Sequence, residues 1–262
     1  FTELHFSLIF EKSLFIKTSP VKTDYSITTP DIETSSEEYA LRFKGAVGEW
    51  FLKVQEEAVL SMLTKKNHAT VLDVGGGHGQ MLPGLINHNF QVTVLGSSTE
   101  CKKRIQPYLD RRQMQFQTGD LMQLPFSDQL FDAAISLRLL THLEKWTLLV
   151  KELCRVSKKT VIVDFPVWKS LNIFSDFLFS LKKNVEKNTR TYTLFYESEI
   201  VKEFKLNGYT PCRKIPQFFL PMALHRMMNH KPFSLGMETF FRMIKLTSWF
   251  GSPLLYEFER IK

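Results

Sequence analysis

The chain has 262 residues, which is enough for one large α/β domain with an appended piece or for two small domains. Its 44% hydrophobic and 23% charged residues are ordinary for a globular protein, and no apolar run reaches the roughly 18 residues of a transmembrane helix. The net charge of +7 suggests an anionic partner or surface without identifying one. Three separated cysteines without a CxxC pair argue against a zinc site and favour a reducing, cytoplasmic compartment.

The N-terminal segment, residues 1–36, is rich in Ser, Thr and Pro, and we predict that it is loosely ordered. Its apolar part makes a poor signal peptide, and a start at Phe1 leaves open whether the N-terminus is complete. A capping box at Ser35 and Glu38 then introduces apolar residues at helical spacing up to residue 63. We expect one or two helices there, with a break near Gly45–Gly48, and a single domain over residues 37–262.

Residues 70–80 read TVLDVGGGHGQ, which predicts a buried strand that runs into a glycine-rich turn. Gly75, Gly77 and Gly79 follow one another at two-residue spacing. Glycines permit a positive φ, and without Cβ atoms they let a ligand lie against the backbone. The dinucleotide-binding fingerprint would need its third glycine at Gln80, so the spacing favours another nucleotide-like cofactor.

Strands and helices alternate along the rest of the chain. The predicted strands are 91–95, 114–118, 131–137, 159–165, 209–215 and 254–259, and the predicted helices are 81–89, 98–109, 143–156, 168–181 and 198–207. This alternation predicts a Rossmann-like, doubly wound α/β sheet.

Residues 216–253 form an insertion between the last two predicted strands, far longer than a hairpin loop. The insertion is rich in Met and Phe and carries more basic than acidic residues. We predict a helical cap over a hydrophobic substrate pocket, with peripheral contact to an anionic membrane as a further expectation. The alternative, a helical pair that packs as core against the sheet, is nearly as well supported.

The glycine turn belongs to a wider set of motifs. The pattern D-x-G-x-G-x-G, then Gly119-Asp120 after the third strand, then Leu124-Pro125-Phe126 and Phe131-Asp132, resembles class I S-adenosylmethionine (SAM)-dependent methyltransferases, in particular small-molecule and quinone-type enzymes. The resemblance covers about residues 70–165. It implies a seven-stranded sheet of six parallel strands and one antiparallel strand near the edge, with SAM as the cofactor and no metal.

The resemblance also implies roles for individual residues. Asp73 and the backbone of the glycine turn would hold the amino-acid end and the sugar of SAM, and Asp120 and Leu121 would contact adenine. An alternative for Asp120 is an Asx turn that begins the loop. The predicted cofactor-binding residues are Asp73, Gly75, Gly77, Gly79, Ser97, Asp120, Leu121 and Arg138, with Tyr39, Arg42 and Phe43 as weaker candidates.

One position departs from the family pattern. Family members usually have an acidic residue at the end of the second strand for the ribose hydroxyls, and this chain has Gly96. The loss of a charged acceptor could cost about 1.5–3 kcal/mol. Ser97, Ser98 or Glu100 could replace it, although Ser97 and Glu100 also form a capping box. Weak SAM binding and a relative that does not bind SAM both remain open.

His142 lies just beyond the fourth strand, where a cleft opens in the family, and it is the candidate general base. Arg138 lies at the same strand end. His225 and His230 in the insertion are more typical of packing residues, and His78 in the glycine turn is expected to point to solvent.

Several methyltransferase classes lack support in this sequence. The motifs of exocyclic-amine, pyrimidine-C5 and protein-arginine enzymes are absent after the fourth strand, and no RNA-binding module is appended. We therefore predict methyl transfer to O or C of a small, hydrophobic acceptor by a cytoplasmic enzyme. The alternatives are an RNA methyltransferase, supported by charge alone, and a non-catalytic protein of the same fold. The oligomeric state is left open.

Overall fold

The computed structural model describes residues 29–66, 68–171 and 192–261. Seven strands form one sheet in the order β3-β2-β1-β4-β5-β7-β6. The strands are β1 Thr70–Val74, β2 Gln91–Gly96, β3 Gln115–Thr118, β4 Phe131–Ser136, β5 Ser157–Phe165, β6 Tyr209–Phe218 and β7 Ser252–Arg260. Strands β1 to β5 pair in parallel, and β7 lies antiparallel between β5 and β6. The predicted seven-stranded Rossmann-like sheet, with a single antiparallel strand, is confirmed.

Helices cover both faces of the sheet. They are α1 Pro30–Thr34, α2 Glu37–Leu41, α3 Gly45–Leu63, α4 Leu82–Asn87, α5 Gln106–Asp110, α6 Trp146–Val156, α7 Glu197–Leu206, α8 Met222–Met228, α9 Lys231–Met243 and α10 Leu246–Phe250. The predicted helix at 98–109 is a 3-10 segment, Thr99–Ile105, followed by α5. The part of the predicted helix at 168–181 that begins at residue 172 lies outside the described residues.

The core has a large cluster on each face of the sheet and a third, smaller cluster that joins α2 and α3 to Phe218 of β6. Val71 of β1 packs in the cluster that contains residues of α3 and α4, whereas the next residue, Leu72, packs in the cluster that contains residues of α6 and α7. Successive side chains of a strand point to opposite faces, so a strand covered on both sides needs a continuous apolar run. This explains the apolar runs in the middle of these strands, Val71-Leu72 in β1, Ala133-Ala134-Ile135 in β4 and Val161-Ile162-Val163 in β5.

The segment before α3 differs from the expectation of loose order. Residues 1–28 lie outside the described part, but residues 30–34 form a helix in which Pro30, Asp31 and Thr34 are buried. The N-cap of α2 is Ser36, whose side chain accepts a hydrogen bond from the Tyr39 amide at 3.1 Å, so the predicted capping box is wrong by one residue. The break before α3 falls at residues 42–44, close to its predicted place. The division into domains at residue 37 stays a prediction.

The insertion between β6 and β7 is helical. Helices α8, α9 and α10 follow the carboxyl end of β6, which is the edge of the sheet that also carries the glycine turn. Its exposed apolar side chains include Met227, Phe240, Met243 and Trp249. A role as a cap or a membrane contact stays a prediction. In the ranges that the structure describes, no helix is both long enough and apolar enough to span a bilayer.

Candidate cofactor site

The glycine turn continues directly from β1. Gly75 has φ 77° and Gly79 has φ 76°, and a 3-10 turn, Gly76–His78, lies between them. The Gly75 amide donates a hydrogen bond to the Leu95 carbonyl at 2.8 Å and so ties the turn to β2. Because both φ angles lie in the left-handed region, the backbone itself requires glycine at 75 and 79.

Gly77 is required for a different reason, the close approach of neighbouring groups. A Cβ atom at this position would fall inside contact distance of Ser35 Oγ and of the Cys101 carbonyl oxygen, and 2.9 Å from Ser35 Cβ. Over Gly75, a Cβ would lie 2.9 Å from Leu139 Cδ2 and 3.6 Å from Asp31 Cβ. The surface that the glycines leave open is therefore in contact with side chains of the chain itself.

Asp73 lies near the carboxyl end of β1 with only 3% of its surface exposed. Burial raises the pKa of its carboxyl group to about 7, and the nearby positive charge of Arg138 acts in the opposite direction. A carboxylate in this environment is stabilised by a cation brought to it. Asp73 is therefore a candidate partner for the ammonium group of an amino-acid ligand.

Arg138 follows β4 and adopts the left-handed conformation, with φ 57°. Its backbone N–H donates a hydrogen bond to Asp164 Oδ1 at the end of β5. The guanidinium carbon lies 4.8 Å from the centre of the Phe43 ring and 5.7 Å from that of Tyr39. Within the described residues, the buried Nε and Nη1 atoms have no hydrogen-bond partner. A guanidinium stays charged, so these N–H groups are suited to an anionic ligand group.

Asp164 connects Arg138 to α3, and sequence reasoning missed it. Its Oδ2 accepts a hydrogen bond from Gln55 Nε2 at 2.6 Å, and Gln55 Oε1 accepts one from Gln80 Nε2 at 2.8 Å. Burial raises the pKa of Asp164, while the hydrogen bond from Arg138 acts against that shift. A lone acid at the end of the apolar strand KTVIVDF is a signal that could have identified it.

Asp31 is the second residue that sequence reasoning missed. This fully buried side chain of α1 accepts hydrogen bonds from the Ser97 backbone N–H and from Ser97 Oγ, both at 2.6 Å. The Cys101 thiol lies 3.3 Å from Asp31 Oδ2, and burial with this carboxylate raises the thiol pKa to about 11. A carboxylate therefore stands just after β2, where the sequence has Gly96 instead of the family's acidic residue.

Ser98 and Glu100, two of the residues predicted to replace that acidic residue, have other roles in the structure. The N-cap after β2 is Ser98, which accepts from the Glu100 amide at 3.3 Å, so the capping box predicted at Ser97 is wrong. Glu100 is exposed and lies 4.0 Å from Lys103. Neither Ser98 nor Glu100 places a carboxylate at the end of β2.

Asp120 and Leu121 follow β3. Asp120 is exposed, and its Oδ1 accepts a hydrogen bond from the Met122 amide at 2.8 Å, which is the Asx turn considered as the alternative. The Leu121 side chain is buried in the core. Contacts of Asp120 and of the Leu121 backbone with adenine stay predictions.

His142 ends a 3-10 turn beyond β4, and its ring centre lies 6.1 Å from that of Tyr192. Its role as a base stays a prediction. The expectation for His78 is wrong, because this ring is buried between Tyr39 and Phe43, at 5.9 and 5.7 Å. Burial and nearby arginine charges lower the pKa of His78 to about 3 and keep the ring neutral.

The structure thus brings several predicted residues to one edge of the sheet. Asp73 with the glycine turn, Ser97 and Arg138 follow β1, β2 and β4, which are adjacent strands. Of the weaker candidates, Tyr39 and Phe43 line the same site, whereas Arg42 is exposed and lies 3.6 Å from Glu33. His225 packs in the insertion, and His230 caps α9.

This sheet order, with a glycine turn after β1 and a β7 antiparallel to its neighbours, is that of class I methyltransferases. Residues 72–163 match the family model described as a methyltransferase domain. This match supports the resemblance to class I SAM-dependent methyltransferases that the sequence motifs carry, and SAM is the cofactor that the resemblance implies. A search of curated proteins finds no match.

Solved structures show the same fold at low sequence identity. One is in the complex of the Haloferax volcanii Trm112 methyltransferase activator with a putative methyltransferase (TM-score 0.62, 20% identity, 88% of this chain and 98% of that one). Another is magnesium protoporphyrin IX methyltransferase (ChlM) from Synechocystis PCC 6803 with bound S-adenosylhomocysteine (SAH) (TM-score 0.60, 17% identity, 87% and 96%). A third is Burkholderia thailandensis 1,6-didemethyltoxoflavin-N1-methyltransferase (TM-score 0.57, 13% identity, 88% and 85%).

The residues at this edge fit SAM in charge. Asp73 offers a buried carboxylate for the ammonium group, and Arg138 offers buried N–H groups for the carboxylate. The glycine turn offers bare backbone for the sugar, once Ser35 and Asp31 are moved away from it.

Proposed function

We propose that this protein transfers a methyl group from SAM to O or C of a small, hydrophobic acceptor. The observation that carries the proposal is that the buried Asp73 carboxyl group and the buried, unpaired N–H groups of Arg138 both lie beside the glycine turn, at the ends of adjacent strands. Burying unpaired polar and charged groups is costly, and such groups are explained best by a ligand that completes them.

The proposed roles follow from the chemistry of each group. Asp73 binds the ammonium group of SAM and Arg138 binds its carboxylate, while Asp164 holds the Arg138 backbone in place. Asp120 and the Leu121 backbone bind adenine. When bound, SAM supplies a methyl group already activated by its sulfonium, so the protein has to position the acceptor and exclude water.

A cavity at the same edge of the sheet supports a small acceptor. Its volume is about 470 Å³, within the roughly 300–1,000 Å³ typical of small-molecule sites. The cavity of about 470 Å³ lies where Leu254 of β7 pairs with Phe165 of β5. Its walls combine apolar side chains, Val167, Phe195, Trp249 and Leu254 among them, with the charged side chains of Lys169, Glu197 and Lys214.

We assign His142 as the general base for a hydroxyl acceptor. It lies beyond the carboxyl end of β4, on the same side of the sheet as Arg138. A hydroxyl acceptor has to lose a proton as the methyl group arrives, and histidine titrates in the range that allows this.

The test is transfer of a labelled methyl group. The full chain is incubated with methyl-labelled SAM and, separately, with a lipid extract, a polar small-molecule extract and total RNA. We expect label in a small molecule of the lipid extract, and none when Asp73→Ala replaces the wild type. Label in RNA would overturn the acceptor class and support the RNA methyltransferase alternative.

The same experiment tests the enzymatic proposal itself. If no fraction acquires label, although the protein binds SAH by calorimetry, a non-catalytic protein of this fold becomes the better explanation. His142→Asn is expected to lower the rate of labelling about a hundredfold while leaving SAH affinity unchanged. A rate within twofold of the wild type would remove His142 from the mechanism.

A further inference from the structure

Helix α1 occupies the part of the site where the proposed cofactor has to lie. Ser35, at the end of α1, lies so close to Gly77 that not even a methyl group fits between them. Asp31 also lies over Gly75, with its Cβ at the ordinary contact distance of 3.6 Å from the position of a Cβ on that glycine. Bare glycine backbone is what a bound sugar would need, and here the chain covers it.

Hydrogen bonds from Ser97 to Asp31 fix α1 against the glycine turn. Asp31 is fully buried, and Ser97 donates two hydrogen bonds of 2.6 Å to its two carboxylate oxygens. Hydrogen bonds to an ionised acceptor are stronger than those between neutral groups. Ser97 is also a predicted cofactor-binding residue, so Asp31 and a bound sugar would use the same donors.

Residues that follow α1 in the chain, between residues 37 and 43, also contact the site. Tyr39 and Phe43 pack on His78 and on the Arg138 guanidinium. Arg104 pairs with Glu37 at the start of α2. Residues 30–43 therefore contact both ends of the site, the glycine turn and Arg138.

We propose that α1 is an intramolecular competitor of SAM, with Asp31 as its anchor, and that residues 30–35 withdraw from the glycine turn when the cofactor binds. This inference rests on the proposed function, because it takes SAM as the ligand of the turn. The apparent affinity for SAM is then the intrinsic affinity reduced by the fraction of molecules in which α1 has withdrawn.

The proposal predicts an unusual sign for a mutation in the site. Asp31→Ala removes the anchor, and we expect SAH to bind at least about tenfold more tightly than to the wild type in isothermal titration calorimetry. Ser35→Gly, which keeps the Asp31 carboxylate, is expected to act in the same direction. Glu38→Gln is the matched control, because it removes an exposed acid from the same segment and should leave the affinity unchanged.

Weaker SAH binding by both Asp31→Ala and Ser35→Gly would overturn the proposal, since it would make α1 a support of the bound cofactor. Unchanged affinity in both would overturn it as well. Ser35→Gly keeps the test decisive if circular dichroism shows that Asp31→Ala does not fold. If neither the wild type nor any variant binds SAH at millimolar concentration, the proposed function fails together with this inference.

Hydrogen exchange provides a second measurement that does not depend on affinity. Adding SAH to the wild-type protein should speed exchange of the amides in residues 30–35, including the Ser35 amide that donates to the Asp31 carbonyl. The glycine turn should be protected at the same time. Slower exchange in residues 30–35 would mean that α1 closes over the ligand, which contradicts displacement.

Discussion

His78 and His225 are both buried among aromatic rings, yet their surroundings differ. His225 Nε2 lies 3.0 Å from Glu238 Oε1, and Glu238 also accepts hydrogen bonds from the Phe219 and Leu220 amides. Neither ring nitrogen of His78 has a hydrogen-bond partner in the described ranges, and Arg138 beside it has unpaired N–H groups. In the insertion the Glu238 carboxylate accepts from its neighbours, although His225 Nδ1 has no partner in the described ranges, whereas beside the glycine turn the buried N–H groups of a charged side chain, Arg138, have no acceptor. The second pattern indicates a binding site.

The largest expected effect tests the structural side of this comparison. Glu238→Ala leaves two backbone amides and His225 without their acceptor in a buried place, and we expect a loss of about 3 kcal/mol in the free energy of unfolding. Denaturant titration measures it. Glu238→Gln, which keeps one acceptor oxygen, should lose less. SAH affinity should be unchanged in both variants. A loss of stability below about 1 kcal/mol in Glu238→Ala would show that the hydrogen bonds of Glu238 contribute little to the stability of the fold.

Asp73→Ala tests the ligand-binding side. Removing the carboxylate should weaken SAH binding about a hundredfold, because a charge-assisted contact to the ammonium group is lost. Far-UV circular dichroism should stay close to that of the wild type. Gly77→Val should abolish binding, since its side chain would collide with the Cys101 carbonyl and would cover the bare backbone that the bound sugar needs. Normal affinity in either variant would place the cofactor elsewhere.

The pH dependence of binding sharpens the comparison further. With a pKa of about 7, Asp73 has to release its proton before it can form an ion pair with the ammonium group of SAH. SAH affinity should therefore fall about tenfold from pH 8 to pH 6. Calorimetry at a series of pH values measures this, and Asp73→Asn should remove the contribution. A flat profile in the wild type would contradict the assignment.

The same raised pKa has a consequence for stability. The folded state holds the Asp73 proton more tightly than the unfolded state, so stability falls as the pH rises from about 4 to 7. Asp73→Asn should therefore be more stable than the wild type at pH 8, with little difference at pH 4. Thermal unfolding at the two pH values provides the measurement.

The smallest expected effect concerns Asp120. Asp120→Ala should weaken SAH binding about five- to tenfold if Asp120 accepts a hydrogen bond from adenine, in addition to its Asx turn with Met122. Asp120→Asn keeps an acceptor oxygen for both roles and should bind almost as the wild type does. Equal binding by all three proteins would leave the turn as the sole role of Asp120.

The sheet could be predicted because its central strands, β1, β2, β4 and β5, contain apolar runs bounded by turns, a pattern that depends on local sequence alone. The site could be predicted only in part. The glycine turn, Asp73 and Arg138 follow from motif and strand order, but Asp31 acquires its role from Ser97, 66 residues further along the chain. His78 is expected to point to solvent because it lies inside the glycine turn, but the packing of Tyr39 and Phe43 against that turn buries it. Such tertiary contacts leave no periodic signal.

Cys101 has a consequence for how this protein could evolve or be redesigned. A Cβ on Gly96 would lie 2.6 Å from Cys101 Cβ and 3.2 Å from Phe116 Cε2, and a Cβ atom cannot swing aside. Restoring the family's acid by Gly96→Asp alone would thus force two rigid atoms together. The Gly96→Asp variant therefore needs a second substitution that removes the Cys101 Cβ atom, such as Cys101→Gly. Positions 96 and 101 can be changed only together.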